Sequence, residues 1–140
     1  MSDYKKPLPG PDAISMPFWE AAKRHELKIQ RCNSCGRFVY YPREACAECL
    51  SPDLTWVKVS GKGTVYSYTI AHAPTHPAFA GDVPYVIAIV ELAEGPRITT
   101  NIIGCKIEAM KIGMPVVVMF DDVTPEITLV KFKPAYTQRP

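Results

Sequence analysis

Cys32-Asn33-Ser34-Cys35-Gly36 and Cys46-Ala47-Glu48-Cys49 together give the spacing C-x2-C-x10-C-x2-C. Two C-x-x-C pairs separated by a hairpin's length of chain can bring four thiolates together tetrahedrally, the arrangement Zn²⁺ takes at structural sites. Each pair can wrap a tight turn whose amides point at the sulfurs, and Gly36 stands where such a turn often needs positive φ. The competing readings are a redox dithiol, two disulfides, and iron in a rubredoxin-like site. A redox C-x-x-C normally stands alone at a helix start, whereas here the motif is doubled. With cysteine at all four positions, no coordination position is left for water or substrate, so the site builds a fold and does no chemistry. Its binding free energy, on the order of 10 kcal/mol, is largely folding free energy. The expected ligands of a structural Zn²⁺ are therefore Cys32, Cys35, Cys46 and Cys49.

The flanking chain fits a zinc ribbon. Leu27-Lys28-Ile29 alternates into the first knuckle, 37–41 continues as a strand closed by Pro42, and 54–59 is rich in β-formers. Upstream, Ser15 or Met16 can cap a short helix whose first turn suits Pro17, with Phe18, Ala21, Ala22 and His25 on one face. Trp19 lies beside that face, as core packing or as an interface anchor. Downstream come five strand-like runs, at 63–70, 85–92, 97–103, 115–120 and 127–132. Glu94-Gly95-Pro96 makes a hairpin turn between the second and third, and a polar helical turn over 106–111 separates the third and fourth. Five strands interrupted there have the layout of an OB-fold barrel. Val116-Val117-Val118-Met119-Phe120 reads as a strand covered on both faces. The expected fold is mainly β: an N-terminal helical segment (1–30), a rubredoxin-like zinc ribbon (31–60), a C-terminal five-stranded OB-fold barrel (61–134) and a disordered tail (135–140). The proline-rich ends, 7–11 and 134–140, read as extended or disordered.

At 140 residues, 47% apolar and 21% charged, the composition is that of an ordinary globular protein. The formal charge of +2 gives no general electrostatic case for nucleic acid or membrane as partner. No stretch approaches the roughly 20 apolar residues of a membrane span. The polar, proline-bearing start over 1–10 has no signal-peptide core, so a cytoplasmic location is expected for these paired, reduced cysteines. Cys105, the odd cysteine, reads as a buried structural thiol.

A helical N-terminus, then C-N-S-C-G and C-A-E-C, then G-K-G-T-V-Y-S-Y-T, P-Y-V-I-A-I-V-E-L-A-E-G and I-G-M-P-V-V-V-M-F, resembles one family. It is that of the OB-fold/zinc-ribbon proteins of domain-of-unknown-function 35, also called acyl-CoA-associated, over about 18–133 of the chain. The resemblance implies a non-catalytic accessory subunit of a thiolase-like or hotdog-hydratase enzyme. In it the ribbon and helices hold the partner, and the OB domain helps hold an acyl-CoA thioester. It also matches the four cysteines to the family's metal ligands and implies no catalytic residue.

The residues themselves offer little for catalysis. His72 and His76 lie on a proline-rich loop after the first strand, and Asp121-Asp122 reads as turn chemistry. Single-stranded nucleic acid is the alternative that OB-folds and ribbons invite, since Tyr66 and Tyr68 share a strand face with Phe79 and Tyr85 near in sequence. The strand runs hold few cations, mainly Arg97 and Lys131, which counts against phosphate binding. The same aromatics can line an acyl or pantetheine groove. Basic residues gather around the ribbon (Lys23, Arg24, Lys28, Arg31, Arg37, Arg43), partly offset by Glu20, Glu26 and Glu44. Arg37, Arg43, Tyr66 and Tyr68 are the candidate acyl-CoA contacts.

Overall fold

A short helix precedes the ribbon, and Pro17 fits its first turn, where a missing N–H costs nothing. The computed structural model describes residues 9–73 and 77–135; His76, Pro7 of the 7–11 run and the 136–140 part of the expected tail lie outside them. Helix α1 is Met16–Lys23, with Phe18, Ala21 and Ala22 buried. Ser15 precedes it and exchanges two hydrogen bonds with Asp12, accepting the Asp12 N–H (3.1 Å) and donating its own N–H to Asp12 Oδ1 (2.7 Å).

His25, expected on the apolar face of this helix, lies beyond its end. It occupies the left-handed region at φ +60. Its N–H donates to Ala22 O and that of Glu26 to Ala21 O, the paired bonds of a Schellman stop. Glycine is the usual residue there, and histidine stands in for it because its ring has work at the barrel, described below.

Three short strands form the ribbon: β1 (Lys28–Cys32), β2 (Phe38–Val39) and β3 (Leu54–Lys58), antiparallel in the order β2-β1-β3. The strand expected over 37–41 is only two residues long. The chain leaves the sheet at Tyr40, whose ring packs 6.1 Å from that of Phe18. It is then held by Gln30, a buried side chain whose amide donates to Arg43 O and accepts the Arg43 N–H, both at 2.8 Å.

Five longer strands close a barrel: β4 (Lys62–Ala71), β5 (Tyr85–Leu92), β6 (Arg97–Ile102), β7 (Pro115–Asp122) and β8 (Thr128–Pro134), in the order β4-β5-β6-β8-β7. All five expected runs are strands, and a 3-10 turn at Ile107–Ala109 occupies the expected interruption. Strand β5 alternates strictly, burying Val86, Ala88, Val90 and Leu92, as the period of two requires when one face meets the core. In β7 only Val116 is fully buried; 117–121 are half-covered on both faces. Phe132 of β8, with no exposed surface, joins a core that runs without a break from Phe18 of α1 through Leu27 and Ile29 of the ribbon side into the barrel. Among the described residues no helix is long and apolar enough to cross a membrane.

Gly63 shows how tightly β4 and β5 approach. A Cβ there would stand 2.7 Å from both Glu91 O and Val90 Cγ1. Backbone cannot yield cheaply, so Gly63→Ala should destabilise the chain by roughly 1–3 kcal/mol, as overpacking does. Equilibrium denaturation measures this, and an unchanged midpoint would show that the strands part without cost.

Candidate metal centre and ligand groove

The two knuckles bring the Sγ atoms of Cys32, Cys35, Cys46 and Cys49 within 4.8 Å of one another. Cys32 and Cys49 sulfurs lie 3.5 Å apart, and those of Cys35 and Cys46 3.7 Å. A tetrahedral site with Zn–S of about 2.3 Å has sulfur–sulfur edges of about 3.8 Å, so the set fits a tetrahedral ion. Cys32 and Cys46 are buried, while Cys35 and Cys49 reach the surface. Amides point at the sulfurs: Cys35 N–H at Cys32 Sγ (3.5 Å) and Glu48 N–H at Cys46 Sγ (3.4 Å). Gly36 has the expected positive φ, +79. The second knuckle repeats the turn with Leu50 at φ +64, its side chain 77% exposed, so there a leucine takes the conformation that suits glycine.

The same hydrogen bonds set the acidities. The backbone N–H of Cys35 brings the Cys32 thiol down to about 6. Those of Cys49 and Glu48 lower Cys46. At Cys49 the Ser51 N–H lowers the pKa, but the neighbouring Cys32 sulfur, desolvation, and the Cys35 and Cys46 sulfurs together outweigh it and push the thiol up to about 12. A cation at the centre removes this mutual repulsion, so metal binding here releases protons.

A groove of about 350 Å³ opens beside the ribbon. Its walls are α1, the segment 40–42 that left the β2 edge, and the facing stretches 98–101 of β6 and 129–131 of β8. The ladder between these two strands is a single parallel pairing, Ile102↔Phe132, and before it they meet through the Thr100 side chain. Phe18, Trp19, Tyr40 and Tyr41 give it aromatic sides, and Lys131 stands at its β8 wall in a 2.7 Å ion pair with Asp121. Burial pushes the Tyr40 phenol up to about 12, which keeps it protonated across the physiological range.

Residues 19–55 match the family described as ChsH2, rubredoxin-like zinc ribbon domain, and residues 56–121 the family described as ChsH2, C-terminal OB-fold domain. A Methanocaldococcus jannaschii protein named DUF35 domain-containing scaffold protein is 44% identical over 112 residues, 78% of each chain. The chain belongs to the DUF35 family. The resemblance read from its motifs therefore holds. Among other relatives, a probable enoyl-CoA hydratase alpha subunit of Thermomonospora curvata is 48% identical over 122 residues. That match takes in 86% of this chain and 38% of the relative, so the chain spans under two-fifths of that protein's length. A chain of the solved Ltp2-ChsH2(DUF35) aldolase superposes with a TM-score of 0.82 at 43% identity, over 92% of this chain and 100% of that one.

None of Arg37, Arg43, Tyr66 and Tyr68, singled out from the sequence, lines the groove of this DUF35 chain. Tyr66 and Tyr68 fall on different sides of β4. A bulge between Val65 and Ser67 inserts one residue and resets the alternation. Tyr68 thus packs against the core and donates its hydroxyl to Met110 O (3.1 Å), while Tyr66 is exposed under the guanidinium of Arg97, 3.7 Å from its ring centre. Of the aromatics expected to stack bases, Tyr66 and Tyr68 are thereby separated. Arg37 is exposed and paired with Glu48 at 3.2 Å; Arg43 is exposed, its backbone fixed by Gln30. Elsewhere in the basic cluster Arg24 pairs with Glu26, and Arg31 bonds Gly36 O and lies over Phe38. The aromatic groove was missed because its walls are remote in sequence. Trp19, already noted beside the helix face, was the available signal.

Asp121 and Asp122, expected as turn residues, end the β7 ladder opposite Leu129 and Thr128. Asp122 accepts from the Thr128 hydroxyl and from His25 Nε2 (2.9 Å), whose ring stacks on Phe120 at 5.2 Å. This latch ties the end of α1 to the barrel. His72 is exposed after β4.

Cys49→Ser should abolish stoichiometric metal and unfold β1–β3, read by elemental analysis and thermal melting. Full metal content with a native melt would refute the ligand set. The Asp122 carboxyl is held below its ordinary 3.8, first by the Thr128 hydroxyl and then by His25. A depressed carboxyl stabilises the fold above its ordinary value and loses that contribution as pH falls through the lowered one. Asp122→Asn should therefore lower the Tm near neutrality and converge with the parent chain in acid. A gap that does not change with pH would assign the effect to packing instead of charge.

Proposed function

We propose that this DUF35 chain is a non-catalytic accessory subunit that holds a thiolase-family or hotdog-hydratase partner and helps position its acyl-CoA thioester. The observation that carries this reading is the likeness, over nearly the whole chain, to the ChsH2(DUF35) chain of an aldolase whose name couples it to Ltp2. The hydratase alpha subunit among its relatives points the same way. In this reading Cys32, Cys35, Cys46 and Cys49 hold a structural Zn²⁺, which makes the ribbon rigid, and the chain works in the cytoplasm, where the thiols stay reduced. The described histidines fit a role without bond-making: His25 is committed to Asp122 and Phe120, and His72 sits on an exposed loop. Arg37 and Arg43, both exposed on the ribbon, are the cations offered to the phosphates of the CoA carrier.

Affinity capture of the tagged chain from its native lysate at moderate salt, with mass spectrometry, tests the reading. A thiolase-like or hydratase subunit should co-elute at near-stoichiometric yield. Nuclease-sensitive nucleic acid without such an enzyme would overturn it. In the captured complex, replacing Arg37 and Arg43 together with Gln should weaken thioester binding by about tenfold, the loss expected for charge-assisted bonds. Unchanged affinity would remove both from the site.

A further inference from the structure

We propose that the groove between α1, the segment 40–42 and the open β6/β8 seam receives a flat, apolar acyl group, with Thr100 at its floor donating a hydrogen bond to the acyl carbonyl. This rests on the accessory-subunit reading and adds to it where the acyl group goes and which shape is preferred. Three observations carry the inference.

The first is the seam itself. In a barrel closed evenly, the backbones of 98–101 and 129–131 would be bonded to one another; here the ladder between the two strands is confined to Ile102↔Phe132. Ile98 through Asn101 pair with β5 along one edge only. Alternate backbone groups of an antiparallel strand point to its other edge, and that edge faces the groove.

The second is Thr100, 8% exposed and lining the groove. Its hydroxyl reaches Val130 O and Asn101 O, each at 3.4 Å. Good O–H···O bonds are near 2.7–2.8 Å, so this buried donor is held weakly and gains from a better acceptor. A carbonyl oxygen entering the groove is such an acceptor.

The third is the shape and charge of the walls. Phe18 and Trp19 stand edge to face at 5.1 Å and 89°, and Tyr40 is tilted against Phe18. Rings pack on such walls by offset or edge contacts. A volume of about 350 Å³ is at the small end for ligand clefts, and it favours a compact planar group over a long flexible chain, which also loses more rotamer freedom on binding. Charge agrees with an anionic carrier outside. Arg43 follows directly on the groove-lining Pro42 and is exposed, while Lys131 inside is neutralised by Asp121.

Calorimetric titration of the full, metal-loaded chain with benzoyl-CoA, decanoyl-CoA, CoA and benzoate tests the proposal. Benzoyl-CoA should bind at least about tenfold more tightly than CoA, and more tightly than decanoyl-CoA, with a negative heat-capacity change from apolar burial. Thr100→Val keeps the shape and removes the donor; it should weaken benzoyl-CoA by about five- to tenfold and leave CoA unaffected. Thr99→Trp, at an exposed groove position, should fill the space and erase the preference; Leu129→Trp is the second filling variant should the first fail to fold. Benzoate binding as tightly as benzoyl-CoA would support the groove and name the free acid as its ligand. No preference for benzoyl-CoA over CoA, or a preference that survives filling, overturns the proposal. Partner capture by the Thr99→Trp chain keeps the two readings apart: capture retained with the preference intact sinks the groove alone. Capture lost already in the parent chain sinks the accessory role, and the calorimetry still decides the groove.

Discussion

Four sulfurs drawn to one point hold the knuckle end of the ribbon, because little else there can. Its strands are two to five residues long, and its separate apolar cluster consists of Cys32, Val39 and Cys46 with Leu54 packed alongside. Two of those four residues belong to the sulfur centre. So small a cluster cannot offset the backbone entropy of ordering two knuckles, which runs to about 1–2 kcal/mol per residue. The geometry of the centre then propagates outward. The first knuckle ends β1 and starts β2, and the ten residues between the pairs must return to the second knuckle within the span that the sulfurs allow. Gln30 fixes the middle of that return by bonding both backbone groups of Arg43.

The return segment is also what separates this molecule into a ribbon and a groove. Tyr40 leaves the sheet edge to pack on Phe18, and the barrel seam between β6 and β8 faces the same place. Helix α1 closes the third side. It is held by buried Ala21 and Ala22, small enough for close approach, and by the His25 latch to Asp122 and Phe120. Helix, ribbon and barrel therefore share one core, and the positions of the groove walls are coupled through it.

Much of this was legible along the chain. The cysteine spacing, Gly36, the strand-like run at 85–92 and the turn at Glu94-Gly95-Pro96 are local signals, each set by a short-range rule, and each led to the right element. The failures were also local rules, overridden by contacts from afar. A strand through 37–41 was a sound reading of β propensity, yet Phe18 and Gln30 draw the chain away after Val39. Tyr66 and Tyr68 were placed on one face by a period of two, which a single inserted residue at the bulge defeats. His25 continued the helical spacing but sits one residue beyond the cap, in a conformation that its cross-barrel partners justify.

The sequence by itself determined the family, the four cysteines that come together and the run of strands along the chain, because spacing, β propensity and turn residues act over a few neighbours and can be read one after another. Only the tertiary structure decided which side chains share a site. The groove draws on stretches near residues 18, 40, 100 and 130, and these meet because a closed barrel, a sulfur-held ribbon and a latched helix bury one common core. No pattern along the chain encodes that meeting, since the distance between two walls is fixed by packing across the molecule.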